Sequence, residues 1–192
     1  MTTTWRRVIV AALFICSVAA EVRADQARPC EREMARAAQL HGIPLGILYA
    51  VGLTETGRRG ALHPFALGAE GQTVFAGNID GAMASFEVMR QKGIKLIDLG
   101  CMQINHYYHG DKFGSVRAMF DPAKNVDYAA RFLKELKQRE GSWTMAVARY
   151  NAGPNNQPAQ KRYICHIVGH LVSSGFGAWT DKARALCQPS TT

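Results

Sequence analysis

Long apolar runs are scarce in this sequence. Val8 to Ala20 covers only 13 residues, short of the about 20 that cross a bilayer core. A multi-span membrane protein is therefore excluded. No internal repeat and no low-complexity linker occurs, and the ordinary composition argues against collagen and against disorder. Neither a Cys-x-x-Cys pair nor a His-Glu-x-x-His segment is found, so the usual marks of a zinc site are missing. We expect no metal and no cofactor, and read His63, His106 and His109 as solvated loop histidines. Acidic residues are few: 15 against 23 lysines and arginines, a net charge of +8. A basic surface suits an anionic partner. No basic stripe with interleaved aromatics appears, which counts against nucleic acid.

The N-terminus carries the pattern of an export signal. Arg6 and Arg7 precede the apolar run, and small residues come after it at Ala20 and at Ala24. We expect residues 1–24 to be a signal peptide cleaved after Ala24, with no membrane span after its removal. The remaining charge is then about +6. Cys16 leaves with the signal, and Cys30, Cys101, Cys165 and Cys187 remain. Four cysteines in an oxidising compartment suggest two disulfides, and three pairings stay open.

Helical periodicity dominates the chain beyond Ala24. Helices are expected over Glu31 to His41, between Pro44 and Gly57, from Asn78 to Gly93, after Asp121-Pro122, after the capping Ser142, and from Pro158 to the glycines at 175 and 177. In the helix after Asp121-Pro122, Val126, Ala129, Ala130, Leu133 and Leu136 form a helical apolar stripe. Phe65 to Leu67 and Thr73 to Phe75, around Ala69-Glu70-Gly71, read as a hairpin, and Ile94 to Leu99 as a strand. The expected architecture is mainly α (α+β): a helical domain over 25–175 with a small antiparallel sheet inserted, then a C-terminal tail over 176–192.

Glu55 is the most informative residue. It comes after Leu48 and Val51 at helical spacing, so a carboxyl group shares an apolar face. Desolvation there disfavours its charge, and the negative helix end before Gly57 acts the same way. Such a carboxyl holds its proton near neutrality, as a general acid must.

Two further segments stand downstream: Gly100-Cys101-Met102-Gln103-Ile104-Asn105 and Arg149-Tyr150-Asn151-Ala152-Gly153. With Glu55-Thr56-Gly57 before them, the chain resembles the lytic transglycosylase family (the SLT domain), which shares its fold with goose-type lysozyme and groups with glycoside hydrolase family 23. The resemblance covers roughly residues 31–172. Thr56 stands where Ser is commoner, Cys101 where Leu is usual and Arg149 where Ala is usual. A hairpin and helix between residues 62 and 93 separate the first two landmarks more widely than in the basic pattern.

The resemblance implies a carbon–oxygen lyase that cuts peptidoglycan in the periplasm. Glu55 would protonate the bond between N-acetylmuramic acid and N-acetylglucosamine. It would then deprotonate the muramic C6 hydroxyl, closing a 1,6-anhydro ring with help from the substrate's N-acetyl group. Tyr150 would hydrogen-bond Glu55. Gln103 and Asn105 would offer amides to the sugar. Thr56, Met102 and Asn151 complete the expected substrate site. A lysozyme hydrolysing the same bond would need a second carboxylate, for which Asp80, Asp98 and Asp111 are nearest in sequence. An inactive wall-binding scaffold is a further alternative. Family analogy adds a flagellar or secretion-system protein partner, and the basic tail with Lys182, Arg184 and Cys187 is one place for it to bind.

Overall fold

The computed structural model describes residues 28–188; the expected signal peptide lies outside them. Helix α1 spans Pro29–His41 and α2 spans Leu45–Thr56. The hairpin comes next, with β1 at Ala66–Ala69 and β2 at Gln72–Phe75. Its turn residues Glu70 and Gly71 both have positive φ, 51° and 76°, the conformation that matches a two-residue hairpin loop to strand twist. Helix α3 is Ile79–Gln91, capped by the Asn78 side chain. Two short strands, β3 (Asp98–Leu99) and β4 (Ile104–Asn105), complete an antiparallel sheet of order β2-β1-β3-β4.

The strand expected from Ile94 to Leu99 is reduced to its last two residues. Gly93 takes a left-handed conformation, φ 81°. The Ile94 N–H donates to the Met89 carbonyl and closes α3. Ile94 is thus spent as a helix terminator before it can join a ladder.

Short helical pieces at His106–His109 (α4) and Val116–Met119 (α5) lead into the long helix α6, Pro122–Glu140. Asp121 caps α6 through Ala123 and Lys124, and its stripe of Val126, Ala129, Ala130, Leu133 and Leu136 is buried. Then come α7 (Trp143–Asn151, capped by Ser142), α8 (Gln157–Ser173) and α9 (Asp181–Cys187). The fold is mainly α and lysozyme-like with one small antiparallel sheet.

Helix α2 runs through the middle, against α1 on one side and α8 on the other. It is apolar nearly all round, as a helix buried on several faces must be. Gly52 admits Met34 so closely that a Cβ would collide with its methyl, and Gly46 leaves room for Phe176. Cys30 pairs with Cys101 and Cys165 with Cys187. The first bridge ties α1 to the β3–β4 turn. The second ties α9, in the expected tail, to α8.

Candidate active site

The last turn of α2 delivers Glu55 to the floor of an open cleft of about 490 Å³. Leu48 and Val51 on the same face are fully buried. Glu55 itself is half-buried. Asp98 and Asn105 come from the small sheet, Phe132 from α6, and Arg149, Tyr150 and Asn151 from α7; Gln103, Tyr108, His109 and Gly153 also line the cleft.

Burial raises the Glu55 carboxyl to about 7; a hydrogen bond from Tyr163 pulls it back, and the charge of Asp98 pushes it up. The Tyr163 hydroxyl donates to Glu55 Oε1 at 2.6 Å. Burial, reinforced by the Glu55 charge, drives both Tyr163 and Tyr150 well above the ordinary phenol range, so each is a neutral donor. Asp98 is also raised, by burial, against a hydrogen bond of 2.8 Å that Asn105 Nδ2 donates to its Oδ1. These two face each other in the β3–β4 register.

The expected Tyr150–Glu55 bond is not made. Tyr150 donates instead to the Met102 carbonyl at 2.8 Å, and Tyr163 takes the place expected of it. Tyr163 sits on the buried face of α8, the helix packed along α2, and reaches the carboxyl from there. In sequence it reads as an apolar-face residue of an amphipathic helix, and a tyrosine there signals that its hydroxyl needs a partner.

Gln103, Asn105, Tyr150 and Asn151 do meet Glu55 in one cleft. The amides of Gln103 and Asn105 are largely committed, however. Gln103 Nε2 donates to the carbonyls of Ala66 and Gly100. Gln103 itself takes a positive φ of 47°, and its Oε1 sits so near Gly68 that a Cβ there would lie 2.6 Å away. Asn105 caps α4 by accepting from Tyr107 N–H while it donates to Asp98.

Thr56 and Met102 are buried and do not line the cleft. The Thr56 hydroxyl lies 3.0 Å from the Cys101 carbonyl and 3.3 Å from that of Gly52. It pins the end of α2 to the β3–β4 turn, which is why a hydroxyl stands next to the glutamate. Met102 enters the core, with its N–H donating to Asn125 and its carbonyl accepting from Tyr150.

Asn125 belongs to none of the sequence motifs. It is fully buried, and its Nδ2 donates to the carbonyls of Leu99 and Met119 while its Oδ1 accepts from Met102. Gly100, φ 80°, lies against it; a Cβ at 100 would come within 2.5 Å of Nδ2. A polar residue beside the Val126–Ala129 stripe was the available signal. The three histidines are also less solvated than expected. His63 packs on Phe75 and His106 on Phe86, while His109 shares a hydrogen bond of 2.9 Å with Tyr128. Among the described residues, no group of three or more His, Cys, Asp or Glu is arranged to hold a metal ion.

A family model described as Transglycosylase SLT domain matches residues 35–164. The matched span contains Glu55, the β3–β4 turn, the start of α8 and Tyr163. No curated protein and no solved structure matches the chain.

Proposed function

Since the chain belongs to the transglycosylase SLT domain family and its activity is of the peptidoglycan lytic transglycosylase type, we propose that it cuts the β-1,4 bond from N-acetylmuramic acid to N-acetylglucosamine and leaves a 1,6-anhydro end, with Glu55 as both acid and base. The observation that carries this is a cleft carboxyl raised by burial to about 7 and aligned by Tyr163. Near neutral pH such a group is present in both forms. Protonated Glu55 gives its proton to the glycosidic oxygen as the bond to C1 breaks. The substrate's acetamido oxygen stabilises the charge that develops at C1. The Glu55 carboxylate, still oriented by the Tyr163 hydroxyl, then takes the proton from the C6 hydroxyl, and that oxygen closes the ring on C1. No water is consumed and Glu55 ends protonated, ready for the next cut.

Hydrolysis is the second reading, and one observation favours it. Of the three candidate aspartates, Asp98 alone lines the cleft with Glu55. Asp80 is paired with Arg117 and Asp111 with Lys112, both on the exposed surface. Asp98 is a constrained base as it stands, because the Asn105 amide occupies its Oδ1.

Product analysis separates the two: anhydro-muropeptides support ring closure, and reducing ends support hydrolysis. Glu55→Gln should lower the clearing of a sacculus suspension by at least about 100-fold while still binding sacculi. Equal clearing by both proteins would remove Glu55 from the mechanism. We place the enzyme in the periplasm, where its substrate lies and where residues 1–24 would send it. There it would open the wall locally for a flagellum or secretion apparatus whose protein recruits it. Among the described residues no helix is long and apolar enough to cross a membrane.

A further inference from the structure

We infer that Arg149 binds a carboxylate carried by the glycan strand, and so selects muramic-acid strands that keep a negative charge beside the cleft; this rests on the glycan-cutting reading above. Arg149 lines the cleft next to Tyr150 and Asn151. It is the one residue of that lining with a permanent positive charge. Its side chain is only 17% exposed and is held from behind, with Nε donating to Glu140 Oε2 at 3.2 Å. Glu140 is shared, since its Oε1 accepts from Arg139 Nε at 3.0 Å. Two guanidinium groups thus lean on one carboxylate, and one positive charge is left over.

Arg149 Nη1 is moreover buried without a hydrogen-bond partner. Buried donors are nearly always paired, and charged donors above all. The orphaned nitrogen is accounted for if the guanidinium turns toward an acceptor that arrives with the substrate. A carboxylate fits the planar guanidinium better than a neutral carbonyl does. The other ionisable groups of the cleft do not supply one readily. Glu55 is already engaged by the Tyr163 hydroxyl and Asp98 by the Asn105 amide. Muramic-acid strands present carboxylates from two sources, the stem peptide and, where the peptide has been removed, the lactyl group.

The test compares wild type, Arg149→Gln and Arg149→Lys on three substrates: stem-bearing strands, the same strands with carboxylates amidated by carbodiimide and ammonia, and strands stripped of peptide. On stem-bearing strands Arg149→Gln should raise KM about tenfold, with kcat little changed, and Arg149→Lys should recover part of the loss. Amidation should raise the wild-type KM by a similar factor and leave Arg149→Gln unmoved. A penalty that persists on stripped strands shows that Arg149 also takes the lactyl carboxylate freed there, and one that disappears restricts the contact to the stem. The same loss on native and amidated strands would overturn the proposal, since it would mean that Arg149 only braces Glu140. No loss on either would overturn it too. Cosedimentation of Glu55→Gln, with and without Arg149→Gln, on native and amidated strands asks the same question without chemistry. It separates failure of this inference from failure of the proposed reaction.

Discussion

Tyr163 lies 108 positions from Glu55 in the chain and donates to its Oε1 at 2.6 Å. The two residues sit on α8 and α2, helices that pack along each other through the core. The phenol favours the ionised carboxylate while burial opposes it, and burial is the larger effect. A group balanced this way can give a proton and take one back at a single pH.

Replacing Tyr163 by Phe removes the opposing hydrogen bond. The Glu55 pKa should rise above about 7, and the carboxylate loses its alignment. We expect kcat at pH 7 to fall about tenfold or more, and the limb of the pH–rate profile set by Glu55 to move to higher pH. A profile identical in shape and position to that of wild type would show that Tyr163 does not govern the acid.

Asp98→Asn acts on the same carboxyl with the opposite sign. The Asp98 charge pushes Glu55 up, so neutralising it should shift the Glu55 limb to lower pH. The fraction of protonated acid at neutral pH would fall. Loss of all activity at every pH, together with reducing-end products from wild type, would instead assign Asp98 as the base of a hydrolase.

The raised carboxyl also bears on stability. Between pH 4.5, its ordinary value, and about 7 the folded protein keeps the Glu55 proton while the unfolded chain has released it. Unfolding therefore releases a proton, and stability declines as pH rises through that window. Glu55→Gln removes this dependence. The variant should match wild type near pH 4 and exceed it by about 1–3 kcal/mol at pH 8, as measured by urea melts at both values. A variant less stable than wild type at pH 8 would mean that the carboxylate is well accommodated.

Asn125 joins α6 to the β3–β4 segment through two buried hydrogen bonds, with Leu99 and Met102, and to the end of α5 through a third, with Met119. Asn125→Ala leaves the partners on Leu99, Met119 and Met102 unpaired, at a cost of roughly 3 kcal/mol or more. The same melts measure this. Activity should fall further than stability alone explains, because the turn that carries Gln103 and accepts Tyr150 loses its anchor.

Cys30–Cys101 closes a separation of 71 residues and Cys165–Cys187 one of 22. Loop-closure entropy makes the first worth about 4 kcal/mol and the second about 3. Paired serine variants should rank in that order by denaturant midpoint. The first pair should also lower activity, since Cys101 adjoins Met102 and is held by Thr56.

Much of the fold was legible in the chain alone. Apolar spacing and capping residues are local properties, and they located the long helices at Asn78, Asp121 and Ser142 to within a residue or two. Glu55 stood out for the same reason: a carboxyl at helical spacing from Leu48 and Val51 must face what they face. Partners across the fold were not legible in that way. Choosing Tyr163 over Tyr150 requires knowing that α8 lies along α2. The cysteine pairing, the burial of Thr56 and Met102, the three bonds of Asn125 and the unpaired nitrogen of Arg149 likewise depend on which elements meet. Pattern along the chain decided which faces turn inward, because the backbone repeats every few residues. Only the tertiary structure decided which inward-facing groups touch, because contact and desolvation depend on distances that sequence separation does not measure.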